Sequence, residues 1–232
     1  MAMPPWSEKR IEWYQRAVEW NGMDRYLADM FCPHLPLEET VCDLGCGTGY
    51  IAMELARRGY DTTAFDWNPV TMGYLEQEKE RQGLDNLTLR QGDWYKLPRE
   101  PICDNMIMVF AGHISEELPL FLRFFRKRLL VIIRDEHTSH IQADGKPTHR
   151  HTNADQVEHH LRDGWKFQSR RLVKEFGQPF RSREECVEYL HTFGADAESP
   201  KSTIHQLVET GAPVYPLYLP YEKKMRLYII ER

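Results

Sequence analysis

Three glycines at alternate positions, Gly45, Gly47 and Gly49, stand between an apolar run and a helical pattern in Thr40-Val41-Cys42-Asp43-Leu44-Gly45-Cys46-Gly47-Thr48-Gly49-Tyr50-Ile51. Glycine suits a sharp turn and lets backbone approach a ligand closely. Unpaired N–H groups at the following helix start make the turn electropositive, so it suits a polar or anionic, nucleotide-like cofactor. Carboxylates recur where later apolar runs end. Asp66 closes Thr62-Thr63-Ala64-Phe65 and can accept hydrogen bonds from the vicinal hydroxyls of a ribose, or cap the helix that begins at Pro69. Asp93, after Gln91-Gly92, can accept from an exocyclic amine or stabilise a turn. Two further runs end in Phe110-Ala111-Gly112-His113 and Arg134-Asp135-Glu136-His137. His113 is the best-placed proton acceptor of these, with His137, Asp135 and Glu136 as alternatives; each also suits a helix cap or loop.

These residues need strands to carry them. Apolar runs at 40–44, 61–66, 86–90, 104–110 and 129–133 alternate with helical patterns at 48–58, from Pro69 to about 82, and from about 115. Such alternation implies right-handed crossovers and a mostly parallel sheet. Ligands of open α/β sheets sit outside the carboxyl ends of strands, near the reversal of strand order. Residues 7–31 read as two helices, with Ser7 capping the first, Asn21-Gly22 ending it and Asp24 capping the second. The last third reads as a helix at 152–162, a strand at 165–176, helical patterns at 182–193 and 201–210, a proline-rich stretch and a closing strand at 225–230. Two final strands in sequence suggest an antiparallel edge. The expected organisation is one domain: a helical cover at 1–36, a core at 37–176, a helical lid at 177–222 and a final core strand at 223–232.

With 232 residues the chain can bury a full core without disulfides or a structural metal. Its formal charge of −5 argues against a broad nucleic-acid footprint, and the basic groups near 123–128 and 170–171 sit among apolar residues as solvated faces do. Five cysteines without framework spacing fit a reducing cytoplasm. No run is long enough to span a membrane, and Glu8, Lys9 and Arg10 interrupt the N-terminus as no signal peptide would be.

The segment Val41-Cys42-Asp43-Leu44-Gly45-Cys46-Gly47-Thr48-Gly49 resembles the first motif of class I S-adenosylmethionine-dependent methyltransferases, and the resemblance extends through Asp66 and Gln91-Gly92-Asp93-Trp94 to about residue 135. It implies an α/β, doubly wound, seven-stranded and mostly parallel sheet whose last strand is antiparallel, with the N-terminal helices and the helical insertion as cover. It implies S-adenosyl-L-methionine as cofactor and S-adenosyl-L-homocysteine as product. Gly45, Gly47 and Gly49 would then pass under the methionine part, with Asp43 organising the loop. Asp66 would hold the ribose, Asp93 and Trp94 the adenine, and Phe110 and Ala111 the region near the sulfonium. Cys46 and Trp67 complete the implied cofactor set. A dinucleotide fingerprint would want Gly-x-Gly-x-x-Gly, and counting from Gly45 its last position is Tyr50.

Methyl transfer from a sulfonium is an in-line displacement, so positioning comes first and a base is needed only for a protonated nucleophile. His113 and His137 are the candidate catalytic residues; Tyr14, His113 and Arg134 are the candidate substrate contacts. No metal is expected: the histidines at 137, 140, 149, 151, 159 and 160 match no standard ligand spacing and suit a polar loop. The Asn-Pro-Pro-Tyr-type motif of many nitrogen methyltransferases and the Pro-Cys pair of cytosine-C5 enzymes are both missing. A small-molecule acceptor is therefore the leading partner, with no membrane and no nucleic acid, in a monomer or homodimer. Tyrosines and tryptophans of the two covers, among them Tyr14 and Trp20, would line its pocket. The rivals are an RNA or protein methyltransferase and a non-catalytic module that binds the cofactor.

Overall fold

The computed structural model describes residues 6–135, 154–162, 164–193 and 203–232. The chain divides into two compact units.

The larger unit takes in residues 24–135, 152–172 and 224–232. Strand β1 (Val41–Leu44) is buried along its whole length, and its four residues carry the short apolar run expected of a strand covered on both faces. It pairs in parallel with β2 (Thr62–Asp66) on one side and β4 (Cys103–Val109) on the other. β3 (Leu87–Gln91) adds outside β2, and β5 (Phe125–Arg134) outside β4, again in parallel. β10 (Glu222–Glu231) runs antiparallel to β5, with Leu227 opposite Ile132, and β6 (Lys166–Glu175) closes the edge. The order β3-β2-β1-β4-β5-β10-β6 is a doubly wound, seven-stranded sheet. The order reverses between β1 and β4, so the switch point lies at the ends of these two strands, which Gly45 and Phe110 follow.

Period-two alternation assigns side chains to the two faces. Cys42, Leu44, Phe65, Met106 and Met108 join a cluster with Ile114, Leu118 and Phe121 of α5 (Ile114–Phe121) and Val157 and Leu161 of α6 (Ala154–Arg162). Ala64 and Leu87 join Ala52, Met53 and Ala56 of α3 (Tyr50–Arg57) and Met72 and Leu75 of α4 (Pro69–Gln82). The cap of α4 is Asn68, whose Oδ1 accepts from the Val70 N–H at 2.9 Å; Asp66 is left for other work. Helix α2 (Met23–Phe31) starts one residue before Asp24, which therefore lies in the first turn instead of capping it.

The smaller unit takes in residues 1–23 and 173–223. Helix α1 (Glu8–Asn21) begins at Ser7, whose hydroxyl accepts from the Arg10 N–H, and ends at left-handed Gly22. Trp13 of α1 joins Phe180 and Cys186 in a small core, with Tyr189 packed edge-on against Trp13 at 5.5 Å. α7 (Arg183–Thr192) lies in this unit with a three-stranded antiparallel sheet of β7 (Gln178–Phe180), β9 (Leu217–Leu219) and β8 (Val208–Glu209). The insertion is thus helix plus sheet. The helical pattern at 201–210 ends early because Val208 and Glu209 pair with Tyr218 and Leu217. The proline-rich stretch supplies that partner strand. No helix among the described residues is long and apolar enough to cross a membrane.

Candidate functional site

The turn after β1 is left-handed three times over, with φ of 78° at Gly45, 55° at Gly47 and 71° at Gly49. An L side chain is strained there. Backbone bonds close the turn: the Phe65 carbonyl accepts from Gly45 N at 2.7 Å and from Cys46 N at 3.1 Å, and the Cys46 carbonyl accepts from Gly49 N at 2.9 Å. The three glycines do different things. A Cβ at Gly45 would lie 2.5 Å from the Ala111 Cβ and 3.1 Å from the Trp94 ring; one at Gly49 would strike Leu75 at 2.5 Å. A Cβ at Gly47 would meet nothing within 4 Å among the described residues, so this backbone is open to them.

Asp43 is buried in β1 and accepts from the Ala52 N–H. Burial, then the nearby Asp66 charge, pushes its carboxyl up to about 7, against the bond from Ala52. Asp66 accepts from Gly47 N at 2.8 Å through one oxygen and from Asn68 N at 2.9 Å through the other. Each oxygen keeps a second acceptor site, which is what a pair of vicinal hydroxyls requires. Cys46 is buried with its sulfur 4.0 Å from that of Met72, and burial raises its thiol well above the ordinary range. Trp67, directly after Asp66, is 63% exposed and offers a free ring face.

After β3, Asp93 caps a short 3-10 turn (Trp94–Lys96), accepting from Tyr95 N at 3.0 Å. Turn stabilisation is therefore a role it fills in this structure. Trp94 packs edge-on against Phe121 at 5.7 Å, and its indole nitrogen is buried beside Tyr95.

At the end of β4 the chain turns sharply. Phe110 has φ of 55°, a conformation rare for a bulky residue and one that stores strain. Gly112 follows at 64°. His113 stands exposed at the N-cap of α5. Its backbone N–H donates to Glu117 at 2.8 Å, and the other Glu117 oxygen accepts from the Tyr95 hydroxyl. That bond holds the Tyr95 phenol above its ordinary ionisation range. Glu117 and Tyr95 escaped the sequence reading. The four-residue step from His113 to Glu117 is a local signal for the first bond; nothing local marks Tyr95.

The structure gathers Asp43, Gly45, Gly47, Asp66, Trp94 and Ala111 through the contacts above. Cys46, Gly49, Trp67, Asp93, Phe110 and His113 are chain neighbours of these residues, and the remaining candidates come from other segments of the chain. Arg134 ends β5 and is half-buried. Asp135 is committed to ion pairs with Arg226 at 2.7 Å and Arg171 at 3.0 Å, which removes it as a free base. Tyr14 belongs to the smaller unit, between Trp6 at 5.6 Å and Phe176 at 5.8 Å. His137 and Glu136 lie outside the described residues, as do His140, His149 and His151.

An S-adenosyl donor needs an unobstructed backbone, a carboxylate for its ribose and an apolar face for its base. Gly47, Asp66 and the exposed Trp67 ring supply these, so the residues fit the group. Residues 37–177 match the family model described as a methyltransferase domain. The chain is 34% identical over 94 residues to a probable cobalt-precorrin-6B C(15)-methyltransferase of Methanothermobacter thermautotrophicus, covering 39% of this chain and 47% of that protein. It is 32% identical over 78 residues to EEF1A lysine methyltransferase 2 of Homo sapiens, covering 33% of each. The chain thus matches half or less of the length of these curated relatives. Among solved structures, magnesium protoporphyrin IX methyltransferase from Synechocystis PCC 6803 with bound SAH superposes with a TM-score of 0.59 at 13% identity, over 99% of this chain and 89% of that one. That likeness is one of fold. The chain belongs to the family described as a methyltransferase domain.

Proposed function

We propose that this enzyme methylates a small-molecule acceptor by in-line displacement, with the donor lying across the Gly45–Gly49 turn. The observation that carries the reading is the open backbone at Gly47 beside the Asp66 carboxylate, with Trp67 exposed on one side and Ala111 closing on Gly45. When bound, S-adenosylmethionine supplies a methyl group already activated by its sulfonium. The chain's own residues bind and orient. Gly45 and Gly47 would leave room for the methionine part, Asp66 would accept from the ribose, and Trp67 and Trp94 would hold the adenine. Asp93 and Cys46 border this set, and Phe110 and Ala111 form the wall toward the acceptor. His113, exposed one residue beyond Gly112, takes the proton of a nucleophile that arrives protonated.

The small-molecule reading is supported by the formal charge of −5 and by likeness to a protein named for cobalt-precorrin methylation. The 78-residue likeness to a lysine methyltransferase supports a protein acceptor as the second reading. Methyl-tritiated S-adenosylmethionine in a cell extract, fractionated by size, separates them. Label in the small-molecule fraction is the expected result; label confined to protein or RNA would refute it.

A further inference from the structure

Glu117 is an anion with an unusual set of neighbours. One carboxylate oxygen accepts from His113 N at 2.8 Å and the other from the Tyr95 hydroxyl, so its orientation is fixed from two sides. No cation pairs with it among the described residues. It stands close behind the wall of the glycine turn. The Cβ position of Gly112 is 3.2 Å from a Glu117 oxygen, and Ala111, the next residue back, closes on the Cβ position of Gly45 at 2.5 Å. Tyr95 is 59% exposed and its ring lies 6.0 Å from Trp94, which also borders Gly45. A carboxylate held by two donors and without a cationic partner among the described residues keeps its charge at the back of this turn.

S-adenosylmethionine carries a positive sulfonium; S-adenosylhomocysteine carries a neutral thioether. We propose that Glu117, positioned by Tyr95, is the counter-charge by which this site binds the cationic donor in preference to the neutral product, so that each methyl transfer weakens the hold on what remains. This rests on the reading that the donor lies across the glycine turn. Helix α5 gains from an acidic first turn in any case, but that gain is indifferent to the ligand's charge. The attraction is worth about threefold in affinity where water screens it fully, and more where the protein surface lowers the dielectric. Salt reduces it.

The test is calorimetric titration of wild type, Glu117→Gln and Tyr95→Phe with S-adenosylmethionine and with S-adenosylhomocysteine. The expected result is that Glu117→Gln loses at least about threefold of the donor-to-product affinity ratio, with product affinity nearly unchanged, and that Tyr95→Phe loses part of it. A merely structural role would weaken both ligands together. An unchanged ratio in Glu117→Gln overturns the proposal while leaving the cofactor site standing. A wild-type protein that binds neither ligand overturns the cofactor reading and this proposal with it. Should Glu117→Gln fail to fold by circular dichroism, the exposed Tyr95→Phe change carries the test, and an unchanged ratio there overturns the proposal.

Discussion

The Cβ that Gly45 lacks would lie 2.5 Å from the Ala111 Cβ. The turn after β1 and the turn after β4 therefore touch at a point where neither chain has room for another carbon. Gly45→Ala adds left-handed strain of about 1–2 kcal/mol to overpacking of about 1–3 kcal/mol, so urea denaturation should show a loss of roughly 2–5 kcal/mol. Gly47→Ala meets no neighbour among the described residues and should lose only about 1–2 kcal/mol of stability. Its S-adenosylhomocysteine affinity should nonetheless fall by about tenfold or more, because the added methyl enters the space the ligand needs. Equal effects of the two substitutions on binding and stability would contradict the distinction.

Trp67 is exposed enough that its removal leaves the core alone. Trp67→Ala should change stability by no more than about 0.5 kcal/mol. Calorimetry should show S-adenosylhomocysteine affinity reduced by about fivefold to a hundredfold, the range for stacking of a base on an aromatic ring. Unchanged affinity would remove Trp67 from the site.

Asp43 links stability to pH. Its carboxyl is raised to about 7 in the fold, first by burial and then by Asp66, against an unfolded value of about 3.9. The folded state thus holds a proton that the unfolded chain releases between about pH 4 and pH 7. The stability contribution is fully present below pH 4 and is lost as pH rises through the folded value. Denaturation midpoints should show wild type losing ground to Asp43→Asn across that window, with a flat difference above it. In Asp66→Asn, which removes the second cause, the upper end of the window should move down. A difference independent of pH would refute this linkage.

Asp66 ties the glycine turn to α4 through Gly47 N and Asn68 N. Asp66→Ala leaves both donors without that carboxylate and should cost about 1.5–3 kcal/mol for each charged hydrogen bond lost. Asp66→Asn retains one acceptor and should fall between. Hydrogen exchange at the Gly47 and Asn68 amides should rise in the alanine variant; protection equal to wild type would show that other groups hold the turn.

The strand–turn–helix around Gly45 was legible because all its signals are local: an apolar run, alternate glycines, then helical spacing from Ile51. The same holds for α4, where Pro69 and Gly83 mark both ends. β8 was not legible, because Val208 and Glu209 become a strand only by pairing with Leu217–Leu219, a partner that lies among prolines. The Tyr95–Glu117 bond joins residues 22 apart, and only the β3-β2-β1-β4 order makes them neighbours. Asp66 as a brace for the turn was hidden likewise: its acceptor capacity was plain, but its partner Gly47 lies 19 residues upstream.

The central claim is that the donor lies across the Gly45–Gly49 turn, and the most direct measurement is the electron density of a crystal grown with S-adenosylhomocysteine. The expected density has the amino-acid part over Gly45 and Gly47, the ribose hydroxyls on Asp66, the adenine against Trp67, and the sulfur facing Ala111. Density elsewhere, or a Gly47 backbone still facing empty space in the complex, would contradict it.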